Sequence, residues 1–336
     1  MKTLVIGAAG FLGSNLVRAL LARGDEVRTM VRPTSNVRAL AGLNVERIEG
    51  DVTDLGSLER ACRGVRLVYQ TASYYPSHTV PVKIAIAQAL AETRSLLTAV
   101  READVDRLVF TSTLITIGFP AGHSERPPRL ATEEDPFVPL FPDNPYLMAK
   151  AMMEQEILEH VDRHGLRAVV VNPTLCFGPF DTKPTSGTQI LMIARRQMPF
   201  YVQGPVNVID VRDVAEGMIN AGERGKTGER YILGNLNTTQ KELNEMIARV
   251  VGAPAPILPV PFPVARYGAK LGDWAFRAVL RRSAPVPGFF IEMFKHMQQY
   301  DCSKAARELG PPRRPVNQAI ADAASWFREN GYLPPR

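Results

Sequence analysis

Thr3-Leu4-Val5-Ile6-Gly7-Ala8-Ala9-Gly10-Phe11-Leu12-Gly13 decides the fold of this 336-residue chain. An apolar run of strand length ends in three glycines spaced G-x-x-G-x-x-G. Leu12, Leu16 and Leu20 then recur at helical spacing as far as Gly24. Strand, tight turn and helix in that order make a phosphate-binding junction. The first glycine permits the turn, the second lets backbone approach a pyrophosphate, and the third lets helix and strand pack closely. The start of the helix, where Phe11 and Leu12 lie between Gly10 and Gly13, faces the phosphate charge. Gly7, Gly10, Phe11, Leu12 and Gly13 are therefore the first candidate cofactor residues. The charged start before an apolar run also has the outline of a signal peptide, but the glycine spacing favours the strand.

Outward from this junction, strand and helix alternate. Further strands are expected at 26–31, 45–50, 66–70, 107–112 and 168–172. Helices are expected at 58–62 and 83–103, with another carrying Tyr146 and Lys150. Continuous apolar strands between helices predict an α/β fold, a Rossmann-type doubly wound parallel sheet covered on both faces. The proline-rich stretch 117–143 is too long for an ordinary connection, and long loops at the carboxyl edge of such sheets usually carry function. After Pro173 the alternation weakens. Residues 1–172 are expected to form a NAD(P)-binding domain. Residues 173–336 are expected to form mainly a smaller substrate lobe, with returns to the sheet near 206–234, at 208–214 and 231–234.

Tyr146-Leu-Met-Ala-Lys150 carries the chemistry. Four residues apart on a helix, the two side chains share a face. A free tyrosine is a poor base near neutrality, with a pKa of about 10, and a nearby ammonium stabilises the phenolate. Lys150 can also hydrogen-bond a ribose. Thr113 closes the strand ending Phe110-Thr111-Ser112, where a hydroxyl can hold a substrate oxygen in line with Tyr146. Ser112 is the alternative hydroxyl. Thr113, Tyr146 and Lys150 are the candidate catalytic group, with Thr111 on the cofactor side of the same strand end.

At the end of the second strand, Arg32 stands where an acid would bind a ribose 2′-hydroxyl. A guanidinium pairs bidentately with a 2′-phosphate, so NADP(H) is favoured and NAD(H) is the alternative. Asp51 and Val52 are placed to meet the adenine edge, with a helix cap by Asp51 or Thr53 as the competing reading. Thr71, Ala72 and Ser73 are small enough to let backbone pass close to the cofactor ribose.

Composition excludes several classes. Apolar residues make up 45% and charged residues 22% of the chain, as in a globular protein. The net charge of +6 is spread along the chain without interleaved aromatics, so no nucleic-acid partner is expected. Three distant cysteines indicate neither zinc nor disulfides and suit a cytoplasmic location. His160 and His164 lack a carboxylate motif, and no metal is expected. Arg266, Lys270, Arg277 and Arg281 would fall on one stripe of a helix over 265–282, with Tyr267, Leu271 and Trp274 on an adjacent one. The expected seating buries the apolar stripe on the lobe and leaves the basic one in water. Peripheral membrane contact is the alternative.

The chain resembles the extended short-chain dehydrogenase/reductase (NAD-dependent epimerase/dehydratase) family. The resemblance rests on Gly7–Gly13, Asp51-Val52, Thr111–Thr113, Tyr146-x-x-x-Lys150 and Asn172-Pro173…Gly178-Pro179. Within that family it is similar to the dihydroflavonol 4-reductase-like and hopanoid-associated sugar epimerase branches. The resemblance implies a seven-stranded sheet with a C-terminal lobe and Tyr146 as acid/base. It also implies Lys150 as activator and ribose ligand, Thr113 as the orienting hydroxyl, and Pro173 near the nicotinamide. A homodimer through helices 83–103 and 146–164 is implied too. Gln70-Thr71-Ala72-Ser73 departs from the family's His-x-Ala-Ala, and Tyr74 and Tyr75 then make an aromatic patch expected to bind substrate. Leu114, Ile115 and Ile117 suggest a substrate with an apolar portion. No carboxylate follows Thr113, which disfavours dehydration. The expected function is reduction of a carbonyl, or oxidation of a secondary alcohol, in a small molecule. Sugar epimerisation and a non-catalytic cofactor-binding regulator are the alternatives.

Overall fold

The computed structural model describes residues 2–72, 74–76, 80–120, 129–280 and 288–334. The first half runs β1 (Lys2–Ile6), α1 (Phe11–Ala22), β2 (Glu26–Val31), β3 (Glu46–Glu49), α2 (Leu55–Cys62), β4 (Leu67–Gln70), α3 (Val82–Glu102), β5 (Arg107–Thr111), α4 (Pro145–His164) and β6 (Ala168–Pro173). The second half runs β7 (Leu175–Phe177), α5 (Gly187–Ala194), β8 (Phe200–Val202), β9 (Pro205–Asp210), α6 (Val211–Arg224), β10 (Arg230–Leu233), β11 (Leu236–Thr239) and α7 (Gln240–Val251). It ends with β12 (Leu258–Val260), α8 (Phe262–Leu280), α9 (Gly288–Phe294), α10 (Ser303–Glu308) and α11 (Val316–Glu329).

Seven strands form one sheet in the order β10-β6-β5-β4-β1-β2-β3, every pair parallel. Alternate side chains enter two cores. Val5, Tyr69, Val109 and Val171 meet Leu16 and Leu20 of α1 and Val214 and Met218 of α6 on one face. Leu4, Ile6, Val68, Phe110 and Val170 meet Leu58 of α2, Leu96 of α3 and Met153 of α4 on the other. Both strand faces are therefore apolar, which is why the strands read as unbroken hydrophobic runs. The strand order reverses between β1 and β4, and ligands of such sheets bind in that crevice.

The return of the chain to the sheet differs from the expectation for 208–214. β9 stops at Asp210 and lies in a separate three-stranded sheet, β11-β9-β7. Residues from Val211 onward are helix α6, because the Asp210 carboxylate accepts from the Arg212 amide and caps it. Only β10 joins the main sheet, pairing with β6 from Arg230↔Val170 to Leu233↔Pro173. Its outer side is closed by Glu133, whose carboxylate accepts from the Ile232 amide at 2.9 Å. The small sheet builds a third core with α5, α7 and α11, around Phe177, Val208, Ile247 and Phe327.

Candidate active site

The glycine turn is a close approach of three backbones. Gly7 has φ +85°, and a Cβ there would lie 2.4 Å from the Ala72 nitrogen. A Cβ on Gly13 would lie 2.3 Å from the Gly7 carbonyl oxygen. The Ile6 carbonyl accepts from the Thr71 amide, the Thr71 hydroxyl and the Ala72 amide, at 2.9, 2.8 and 3.1 Å. The ends of β1 and β4 are thus locked under the start of α1. Gly10 caps α1 without a side chain, so the first-turn amides, with Phe11 and Leu12, remain for an anion. Thr111 Oγ1 and Gln70 Oε1, at the carboxyl ends of β5 and β4, are buried and have no partner among the described residues. A bare helix start, a cradle that side chains would fill and two orphaned polar atoms fit a dinucleotide. Ser73 lies outside the described residues.

Arg32 follows β2 directly and is exposed. Asp51 lies after β3, its Oδ1 accepting from the Thr53 amide and hydroxyl, both at 3.0 Å. The cap of α2 is neither of these residues but Asp54, which accepts from the amides of Gly56 and Ser57. Glu92 of α3 meets the same edge. Burial and the Asp51 charge push its carboxyl up to about 7, and Arg32 pulls it down. The sequence reading missed Glu92 because nothing local ties a residue in mid-α3 to Arg32. Val52 is half-buried against the α2–α3 core, and Pro173 is buried at the end of β6.

Asn144 starts α4, the helix that carries Tyr146 and Lys150. Its Oδ1 accepts from the amides of Tyr146 and Leu147 at 3.2 Å, and Pro145 occupies the first turn, where its missing N–H costs nothing. Tyr146 and Lys150 are both buried. The Thr113 side chain acts on the Tyr146 phenol and favours its ionised form. The Ser112 hydroxyl instead lies 3.2 Å from Thr116 Oγ1. Burial pushes Tyr146 up to about 12, opposed by Thr113. Burial pulls Lys150 down to about 8, and the Glu154 carboxylate acts against that.

A buried polar network backs this group. Glu154, one turn beyond Lys150, accepts from Thr116 Oγ1 at 2.6 Å and Asn172 Nδ2 at 2.9 Å, and pairs with Arg230 at 3.0 Å. Asn172 Nδ2 in turn donates to the Thr113 carbonyl at 3.1 Å, and Thr116 Oγ1 lies 2.9 Å from the same carbonyl. The network thereby ties α4, β6 and β10 to the turn that carries Thr113. Sequence reasoning passed over Glu154, although its i, i+4 spacing from Lys150 was a local signal.

The aromatic patch divides. The Tyr75 ring lies 4.7 Å from the Tyr146 ring, centroid to centroid. Tyr74 instead bonds Gln88 of α3 through its hydroxyl. Leu114, Ile115 and Ile117 pack with Tyr146, Ile232 and Tyr300 in a separate small core. Their apolar character is therefore accounted for by packing, and it carries no information about substrate.

Comparison with known proteins decides the lineage. The family model for the NAD dependent epimerase/dehydratase family matches residues 3–234. The chain belongs to that family. A protein provisionally named dihydroflavonol 4-reductase from Synechocystis is 36% identical over 98% of this chain and 95% of its own length. Sterol demethylase protein B of Methylococcus capsulatus is 34% identical over 99% of this chain and 100% of its own. The solved structure of a nucleoside-diphosphate-sugar epimerase from Pseudomonas aeruginosa superposes with a TM-score of 0.82, at 29% identity over 99% of both chains. The protein is thus an enzyme of an NAD(P)-dependent family in which reductases and epimerases share one fold.

Proposed function

We propose that this member is an NADP(H)-dependent carbonyl reductase, equally able to oxidise the corresponding secondary alcohol, for a small molecule with an apolar body. The supporting observation is the buried Tyr146 phenol, on which the Thr113 side chain acts. A phenol held near 12 is protonated at neutral pH and stands ready to donate to a carbonyl oxygen. Thr113 holds that oxygen, and Lys150 favours the phenolate left behind and binds the ribose. A nicotinamide in the crevice supplies the hydride. Gly7, Gly10 and Gly13 hold the pyrophosphate, Arg32 the 2′-phosphate, and Asp51 and Val52 the adenine. Thr71, Ala72, Ser73 and Thr111 line the ribose side, and Pro173 the nicotinamide. Tyr75, over the Tyr146 ring, is the first wall the substrate meets, with Tyr74 beside it. The sterol named in one relative supports an apolar substrate.

Two measurements test this reading. Arg32→Ala should raise the Kd for NADPH about 10- to 100-fold, the worth of a charged pair with phosphate, and leave NADH unchanged. Equal NADPH affinity in the variant removes Arg32 from the site. The reductive kcat/KM should fall as pH rises through about 8, because Lys150 loses its proton there. A profile flat to pH 10 excludes that role.

The epimerase structure supports a second reading. An epimerase returns its hydride and retains its cofactor. Denaturing the purified protein and assaying the released nucleotide separates the two: near-stoichiometric NAD(H) surviving dialysis overturns the reductase.

A further inference from the structure

Helix α8 is seated opposite to its expected orientation. Val264, Tyr267, Leu271 and Trp274 recur at i, i+3, i+7 and i+10, and each is between 61% and 67% exposed. Arg266 turns inward instead, to Glu292 of α9 at 3.0 Å, and Lys270, itself exposed, reaches the same carboxylate at 3.8 Å. Arg281 lies outside the described residues, as does the side chain of Arg277. Glu292 sets this orientation: it is buried, and it takes both cations as well as the Asn144 amide. An aromatic and aliphatic stripe of this length is left in water, where globular proteins rarely leave one. The ribbon that precedes α8 in the chain is also exposed, with Phe200 of β8 paired beside Leu258 of β12, 55% and 57% exposed.

We propose that this outer face of α8 rests on an anionic lipid surface, so that an apolar substrate reaches Tyr146 from the bilayer beneath the α8–α9 pair. The proposal rests on the apolar-substrate reading above. Three observations carry it. Tryptophan and tyrosine among aliphatics make up the composition of helices that lie in the headgroup region. Among the described side chains, the charge around the stripe is positive: Lys270 keeps about half its side chain exposed and Lys295 of the following turn is exposed, while the carboxylate of Glu292 is buried and already bonded. An anionic surface complements that rim, whereas a second copy of the chain would bring the same cations against it. The face also lies next to the site. Met293 of α9 packs on the core containing Tyr146, and Glu292 Oε2 accepts from Asn144, the cap of α4, at 3.1 Å.

The test is co-sedimentation of the full chain with vesicles of phosphatidylcholine containing about one quarter phosphatidylglycerol. The wild type should pellet at low salt and bind pure phosphatidylcholine more weakly. Tyr267→Ser/Leu271→Ser/Trp274→Ser should lose vesicle affinity about tenfold or more. That variant should keep wild-type NADPH affinity and wild-type turnover of a small water-soluble ketone, which shows that it is folded. A wild type that stays in the supernatant overturns the proposal. So does light scattering that finds a wild-type dimer, a monomeric variant and no vesicle binding by either, since a second copy then covers the stripe. If the wild type pellets yet reduces no detergent-dispersed apolar ketone, the docking face stands and the substrate reading fails.

Discussion

Replacing Tyr146 with phenylalanine is expected to lower kcat for carbonyl reduction by about 10²–10⁴-fold, the usual worth of a positioned proton donor. The Kd for NADPH should stay at its wild-type value. Phenylalanine keeps the ring packing against Tyr75 and the surrounding core, so thermal stability should change little. Stopped-flow turnover and cofactor fluorescence read the two quantities separately. A variant that retains most of its kcat would show that the proton comes from elsewhere. Thr113→Val should fall in the same direction by a smaller factor, because the phenol remains while the oxygen it serves loses its second contact.

The second large effect belongs to Glu154. Truncation to alanine leaves the half-buried Arg230 guanidinium without its charge partner and removes one acceptor each from the Thr116 and Asn172 side chains. Breaking a buried ion pair costs about 3–5 kcal/mol, and denaturant unfolding should show a loss of that size. The same change removes the negative charge that supports the Lys150 ammonium. The alkaline fall in kcat/KM should therefore move to lower pH. A packing role alone would lower stability and leave the pH profile in place. Glu154→Gln keeps most of the volume and one acceptor, and should recover part of the stability without recovering the profile.

The cofactor half of the molecule was legible because its signals are local. Three glycines at a strand–helix junction, a hydroxyl at a strand end, and a tyrosine four residues before a lysine each lie within one element or turn. The unbroken apolar strands announced burial on both faces. The same pattern could not say which sheet a strand joins, so β9 was expected in the large sheet. It pairs with β7 and β11 instead, because Asp210 starts a helix before the strand can reach further. Glu154 meets Asn172 and Arg230 only after the sheet has formed, so its role is a property of the assembled fold. Periodicity placed Tyr267, Leu271 and Trp274 on one stripe of α8 but could not say that this stripe faces outward. Glu292, on a different helix, decides that by taking Arg266 and Lys270.

The placement of β10 has a consequence during synthesis. β6 is a Val-Val-Val strand whose free side is filled only by a segment from the far half of the chain, and Glu133 then seals the rim. While the ribosome is still making the small sheet and α6, β6 presents an open, sticky margin. At ordinary elongation rates that interval lasts roughly 3–12 s. The nucleotide-binding half therefore cannot mature ahead of the rest of the polypeptide. A nascent chain stalled between residues 174 and 229 is a natural client for chaperones.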